Sequence, residues 1–142
     1  MLIEREFTID APLSVVWNFI KDKEKFAKCV PNLEQMKIVN DQRFILILKP
    51  KLTFLRGRIE MDCTIKKMED NTGILLVKGK SIGSSFDAIS EIILADKKNK
   101  TTLHWNVEIT LQGLLKHVPE SVIRATVYFI ADRMIKNLSG LT

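Results

Sequence analysis

Between Lys100 and Leu138 the apolar residues change their spacing once, and that change restricts the fold more than any other feature of the chain. Leu103, Trp105, Val107, Ile109 and Leu111 alternate with Thr102, His104, Asn106, Glu108 and Thr110. A period of two is a strand with one dry face and one wet face. Beyond Pro119 the period becomes helical. Val122, Ile123, Thr126, Phe129, Ile130 and Met134 share one broad stripe, with Arg124, Tyr128, Asp132 and Lys136 opposite. Pro119 suits the start of this helix, which is expected to run to about Leu138 and to stop at Gly140. A stripe about five turns long must lie along something apolar.

The preceding segments supply that surface. Residues 2–10 read as a strand with Ile3, Phe7 and Ile9 on one face. Asp10-Ala11-Pro12 opens a helix, with Pro12 at a position where its missing N–H is not needed and Asp10 able to accept from free backbone donors. Leu13, Val16, Trp17 and Ile20 make its stripe, and a second short helix over about 23–28 stops at Val30-Pro31-Asn32. Residues 33–40 and 43–49 read as a hairpin around Asn40-Asp41-Gln42. In 57–67, Ile59, Met61, Cys63 and Ile65 alternate with charged and polar residues. Asn71-Thr72-Gly73 then turns into 74–80, and 85–96 is a strand before a polar turn from Asp96 to Lys100. The fold class is therefore α+β. A curved antiparallel sheet of about seven strands wraps a long C-terminal helix, with two short helices after the first strand. A twisted sheet of this size curls, so a hollow between sheet and helix is expected, plugged at one end by residues 12–28 with Trp17 as stopper.

Residues 1–142 are expected to form one domain. A chain of this length can bury roughly two-thirds of its unfolded surface, so neither disulfide nor metal is required. No apolar run approaches the ~20 residues of a membrane span, and the first residues lack the pattern of a signal peptide. A soluble cytoplasmic protein is the expectation. The net charge of +5 comes with short basic clusters: Lys21, Lys23, Lys25 and Lys28; Lys49, Lys51, Arg56 and Arg58; Lys97, Lys98 and Lys100. They read as a solvated surface or as attraction to anionic lipid, which would place the protein peripherally on the inner face of the cell membrane. Nucleic acid is not an expected partner, because no recognition motif appears.

Chemistry is sparse. Cys29 and Cys63 lie far apart, with no CxxC and no evident base, and read as small buried hydrophobes. His104 sits on a wet strand face and His117 in a link; neither belongs to a metal-ligand pair. Glu60 and Asp62 share an exposed strand face, where acid–base work would need a pocket to shift a pKa. Asp10 and Asp22 read as helix-capping groups. Gly79 to Ser85 is a polar turn or pocket rim that matches no phosphate loop. No catalytic residue, metal or cofactor is assigned. The candidate cavity residues are apolar: Trp17 from the first helix; Cys63, Ile65, Trp105, Val107 and Ile109 from strands; Ile123, Thr126, Phe129, Ile130 and Met134 from the last helix. Thr126, Arg133 and Asn137 are the polar exceptions and need partners or a mouth open to water. Arg133 is the candidate anchor for a polar ligand head.

The stretch FTIDAPLSVVWNFIKDKEKFAKCVPN, Phe7 to Asn32, then RGRIEMDC, TTLHWNVEITLQG and the amphipathic C-terminal helix, resembles the helix-grip superfamily. That group includes START lipid-transfer domains, plant pathogenesis-related ligand binders and polyketide cyclases. Within it the chain is most similar to the CoxG family of carbon monoxide dehydrogenase proteins, whose pattern of strand, Ala-Pro, Val-Trp, Asp and Cys-x-Pro it carries. The resemblance covers about residues 2–138. Two positions depart: Lys23 follows Asp22 where the family often has proline, and Asn32 follows Pro31 where it commonly has glycine. Longer members carry a C-terminal extension linked to membrane attachment, and no such segment is expected in a sequence running to Thr142. The resemblance implies binding of a quinone, lipid or other hydrophobic molecule. It also implies a role in assembly or membrane recruitment of a molybdenum-type carbon monoxide dehydrogenase or a related oxidoreductase. A cyclase- or dehydratase-like enzyme using the same cavity is the alternative.

Overall fold

The computed structural model describes residues 1–55 and 57–141. Arg56, one member of the second basic cluster, lies outside the described residues. β1 (Leu2–Ile9) is followed by α1 (Leu13–Lys21) and α2 (Lys23–Lys28). Then come β2 (Leu33–Asn40), β3 (Arg43–Leu48), β4 (Ile59–Glu69), β5 (Thr72–Ser81), β6 (Ser84–Lys97), β7 (Lys100–Gly113), a 3-10 turn (Leu114–His117) and α3 (Glu120–Leu141). All seven strands form one antiparallel sheet in the order β1-β7-β6-β5-β4-β3-β2. The two short helices carry the chain from one edge of the sheet to the other. The remaining strands return hairpin by hairpin, and β7 closes against β1.

Local chemistry explains the turns. Asp70-Asn71 and Lys98-Asn99 take positive φ at both positions (53° and 58°; 48° and 67°), the geometry that matches the twist of tight two-residue hairpins. The β4–β5 turn is therefore Asp70-Asn71, and Thr72 and Gly73 already pair in β5. Alternation in β4 holds as far as Ile65. A bulge between Ile65 and Lys67 then shifts the register, so that Met68 joins the core while Lys66 is exposed.

Three expectations about the helices change. Pro12 occupies the N-cap of α1, its carbonyl accepting from Val15 and Val16 at 3.0 and 3.1 Å, and no side chain caps that end. Asp10 therefore does not cap. Asp22 does so for α2, accepting from the N–H groups of Glu24 and Lys25 at 3.1 and 3.2 Å. Gly140 does not end α3, which continues to Leu141. Near the C-terminus of a helix the packing of earlier turns holds the backbone, and glycine is tolerated.

The core has three parts along the concave face. Val16, Phe19 and Ile20 of α1 pack with Ile9, Leu94, Leu103 and Leu138. Ala27 and Val30 pack with Phe44, Leu46 and Cys63. Ile3, Val107 and Ile109 pack with Val127 and Tyr128. α3 touches all three. Arg124, Tyr128 and Asp132, expected on its outer side, instead meet β1. Asp132 accepts from Arg5 at 2.7 Å, Arg124 donates to the Leu2 carbonyl at 3.2 Å, and the Arg5 guanidinium lies 4.7 Å from the Tyr128 ring and 5.0 Å from that of Phe7. The helix thus leans on the β1 edge and stands away from the middle of the sheet.

Candidate ligand cavity

That stand-off leaves a cavity of about 640 Å³ between α3 and the concave face. From the sheet, Cys63, Trp105, Val107 and Ile109 line it; from the helix, Ile123, Thr126, Phe129, Ile130, Arg133 and Met134 do. Two expected residues lie elsewhere. Trp17 packs partly buried against the α1 cluster, with the Lys21 ammonium 5.9 Å from its ring. The helical plug at that end is made by Ile20 and Phe26 instead. Ile65 lines a satellite pocket of about 50 Å³ beside Ile20, Phe26 and Met68.

The interior is apolar, and its few polar groups are engaged. The Trp105 indole N–H donates to the Ser90 hydroxyl at 2.7 Å, as buried tryptophans do. The Thr126 hydroxyl donates to the Val122 carbonyl of its own helix at 2.8 Å. Asn137 donates to the Cys29 carbonyl at 3.0 Å and ties α3 to the end of α2. Burial pushes the Cys29 thiol up to about 11. Burial, then the nearby Asp62 charge, pushes Cys63 up to about 12. Both remain thiols at neutral pH and are poor nucleophiles.

The acid–base candidates do not converge on the cavity. His104 faces outward beside Glu6, with its ring nitrogen 3.3 Å from the carboxylate. Asp62 accepts two bonds from Arg43, at 2.9 and 2.7 Å, and these hold its carboxyl below the usual range. Glu60 is exposed. Among the described residues no cluster of His, Cys, Asp or Glu has the makings of a metal site, and no helix is long and apolar enough to cross a membrane.

The mouth holds Phe129 and Arg133, both expected there, and a loop that sequence reasoning missed. Phe129 is 60% exposed and stands at the lip with the Arg133 guanidinium 5.8 Å from its ring centre. The β3–β4 connection contributes Pro50, Lys51, Leu52, Phe54 and Leu55 to the lining. Leu52, Phe54 and Leu55 are partly buried. The signal was present: Leu52, Phe54 and Leu55 are large apolar residues between Pro50 and Gly57, in a segment with no strand period. A surface loop carries such residues when they cover something.

Comparison with known proteins agrees with this architecture. A conserved protein from Geobacillus kaustophilus superposes with a TM-score of 0.92 at 13% identity, over 99% of this chain and 93% of that one. A START superfamily protein from Mycobacterium smegmatis does so with 0.78 at 12%, over 98% and 94%, and a protein from Thermus thermophilus with 0.72 at 12%, over 100% and 99%. Identities this low carry the fold alone. No curated protein matches the chain. The family model for the carbon monoxide dehydrogenase protein CoxG matches residues 6–140. With that match over the strand, the helices, the sheet and the gripped α3, the chain belongs to the carbon monoxide dehydrogenase CoxG family.

Proposed function

We propose that the protein is a non-enzymatic carrier of a small hydrophobic molecule, quinone- or lipid-like, held between the sheet and α3. The supporting observation is the cavity of about 640 Å³ with walls from Trp105, Val107, Ile109, Ile123 and Met134. That volume falls within the ~300–1,000 Å³ typical of small-molecule sites. A ligand burying ~300 Å² of apolar surface there would gain several kcal/mol at ~25 cal/mol per Å², less the cost of ordering it. With His104, Glu60 and Asp62 all on the outer face and both thiols protonated, the cavity offers binding energy and little means of bond-making.

Family membership supports a destination for the cargo: assembly or membrane recruitment of a molybdenum-type carbon monoxide dehydrogenase or related oxidoreductase, with exposed lysines such as Lys25, Lys28, Lys97 and Lys98 favouring an anionic surface. Native mass spectrometry of protein purified from its own host tests the carrier reading. A retained mass matching a quinone or lipid, lost on delipidation and regained on reloading, is the expected result. Protein that never retains one at any loading sinks it.

A further inference from the structure

The charges around the cavity are of one sign. Of the described residues that line it, Arg133 and Lys51 are the charged ones, and no Asp or Glu joins them. Neither cation has a carboxylate within ion-pair distance among the described residues, whereas four other arginines do: Arg5 with Asp132, Arg43 with Asp62, Arg58 with Glu34 and Arg124 with Glu120. The Arg133 guanidinium lies over the exposed Phe129 ring, 5.8 Å from its centre, within the reach of a cation–π contact that leaves its donor edges for another partner. Lys51, on the β3–β4 connection, is exposed and is the second cation of the lining. Deeper in, the polar side chains bond within the protein: Trp105 to Ser90, Thr126 to the Val122 carbonyl. A neutral ligand with polar groups at its buried end would find there chiefly the Ser90 hydroxyl, which accepts from Trp105 and keeps its own proton to donate.

We propose that the ligand is a single-chain anionic amphiphile. Its alkyl tail lies along Trp105, Val107 and Ile109, and its carboxylate or phosphate head sits at the mouth between Arg133 and Lys51. This rests on the carrier reading above and narrows it. The cavity volume suits one chain, and the two cations match one anion by charge-assisted hydrogen bonds. A headgroup left in partial contact with water avoids the cost of burying a charge.

The cavity's own tryptophan reports on the head. In the full-length Trp17→Phe protein, Trp105 is the remaining indole, and 9,10-dibromostearate and its methyl ester are matched quenchers that differ in head charge. At low salt and at a pH where the acid is ionised, the acid is expected to bind about tenfold tighter than the ester. Replacing Arg133→Gln and Lys51→Gln together should erase that preference while leaving ester affinity within about twofold, and Arg133→Lys should keep most of it. Displacement by oleate against the lysophosphatidate of the same chain identifies the head as carboxylate or phosphate. Equal binding of acid and ester, or a preference that survives the double substitution, overturns the anionic head and leaves the carrier reading standing. Absence of quenching by both probes overturns the carrier reading as well.

Discussion

Asn32 sits at φ 62°, in the left-handed region that costs most L-residues roughly 1–2 kcal/mol and that asparagine tolerates. The family's usual glycine at this position and the asparagine here answer the same backbone demand after Pro31. Asn32→Gly is therefore expected to leave the urea midpoint nearly unchanged, whereas Asn32→Val should lose about 1–2 kcal/mol; equal midpoints for both would contradict the argument. The other departure has the same logic. Asp22 is extended and caps α2, and Lys23 takes the first helical position, where proline is equally suited. The thiols give a pH signature. Burial pushes the Cys29 and Cys63 thiols up from 9.0 to about 11 and about 12 in the folded protein. Below about pH 9 both states hold these protons and stability is at its full value. Above it the unfolded chain releases them first, so unfolding becomes easier as pH rises toward 11–12. Urea midpoints between pH 8 and 10 should fall less in a Cys29→Ala, Cys63→Ala variant than in the parent; identical slopes would contradict the burial assigned to these groups.

At the scale of elements, the pairing of Gly79 with Phe86 across β5 and β6 shapes the floor of the cavity. A Cβ at Gly79 would collide with the Phe86 ring, and Phe86 lines the cavity. The glycine read from sequence as part of a polar turn is thus a strand residue lying beneath an aromatic ring. Gly79→Ala should cost about 1–3 kcal/mol by forcing the ring off its rotamer and should perturb binding of an apolar probe. A neutral effect on both would show that the ring moves freely. α3 teaches a second lesson. The helical wheel gathered its apolar residues correctly but could not fix the seam. Ile123, Ala131 and Leu138 are the buried positions, whereas Val122 and Phe129 are exposed. That rotation turns Tyr128 and Asp132 toward Arg5, which alternation places on the inner side of β1, where it binds Asp132 and lies over the Tyr128 ring. The helix meets the edge strand through these contacts, and no single-helix periodicity encodes its partner's arginine.

The whole molecule is a sheet that closes on its helix at the β1 edge and remains open in the middle. A void lined by carbon forgoes contacts that a packed core would make, so filling it should not destabilise the fold. Ala88, 9% exposed on β6 and lining the cavity, is the place to test this. Ala88→Phe should keep or raise thermal stability while weakening apolar-probe binding at least about tenfold, a loss near 1.4 kcal/mol or more. Unchanged binding would mean that ligands use another surface. The exposed ion pairs, such as Arg43 with Asp62, contribute little by comparison, because solvent screens them.

The sequence by itself determined the element order, the seven strands, the dry face of β1, of β7 and of β4 as far as its bulge, and the family, since hydrophobic period and turn chemistry are local properties that survive without tertiary contacts. Tertiary structure alone decided which face of α3 turns inward, that Ile20 and Phe26 rather than Trp17 line the end of the hollow, and that the middle stays open. Those outcomes depend on how far two packed layers stand apart. That distance is set by a balance of edge contacts, bulges and side-chain volumes between residues remote in the chain, and no spacing along the sequence records it.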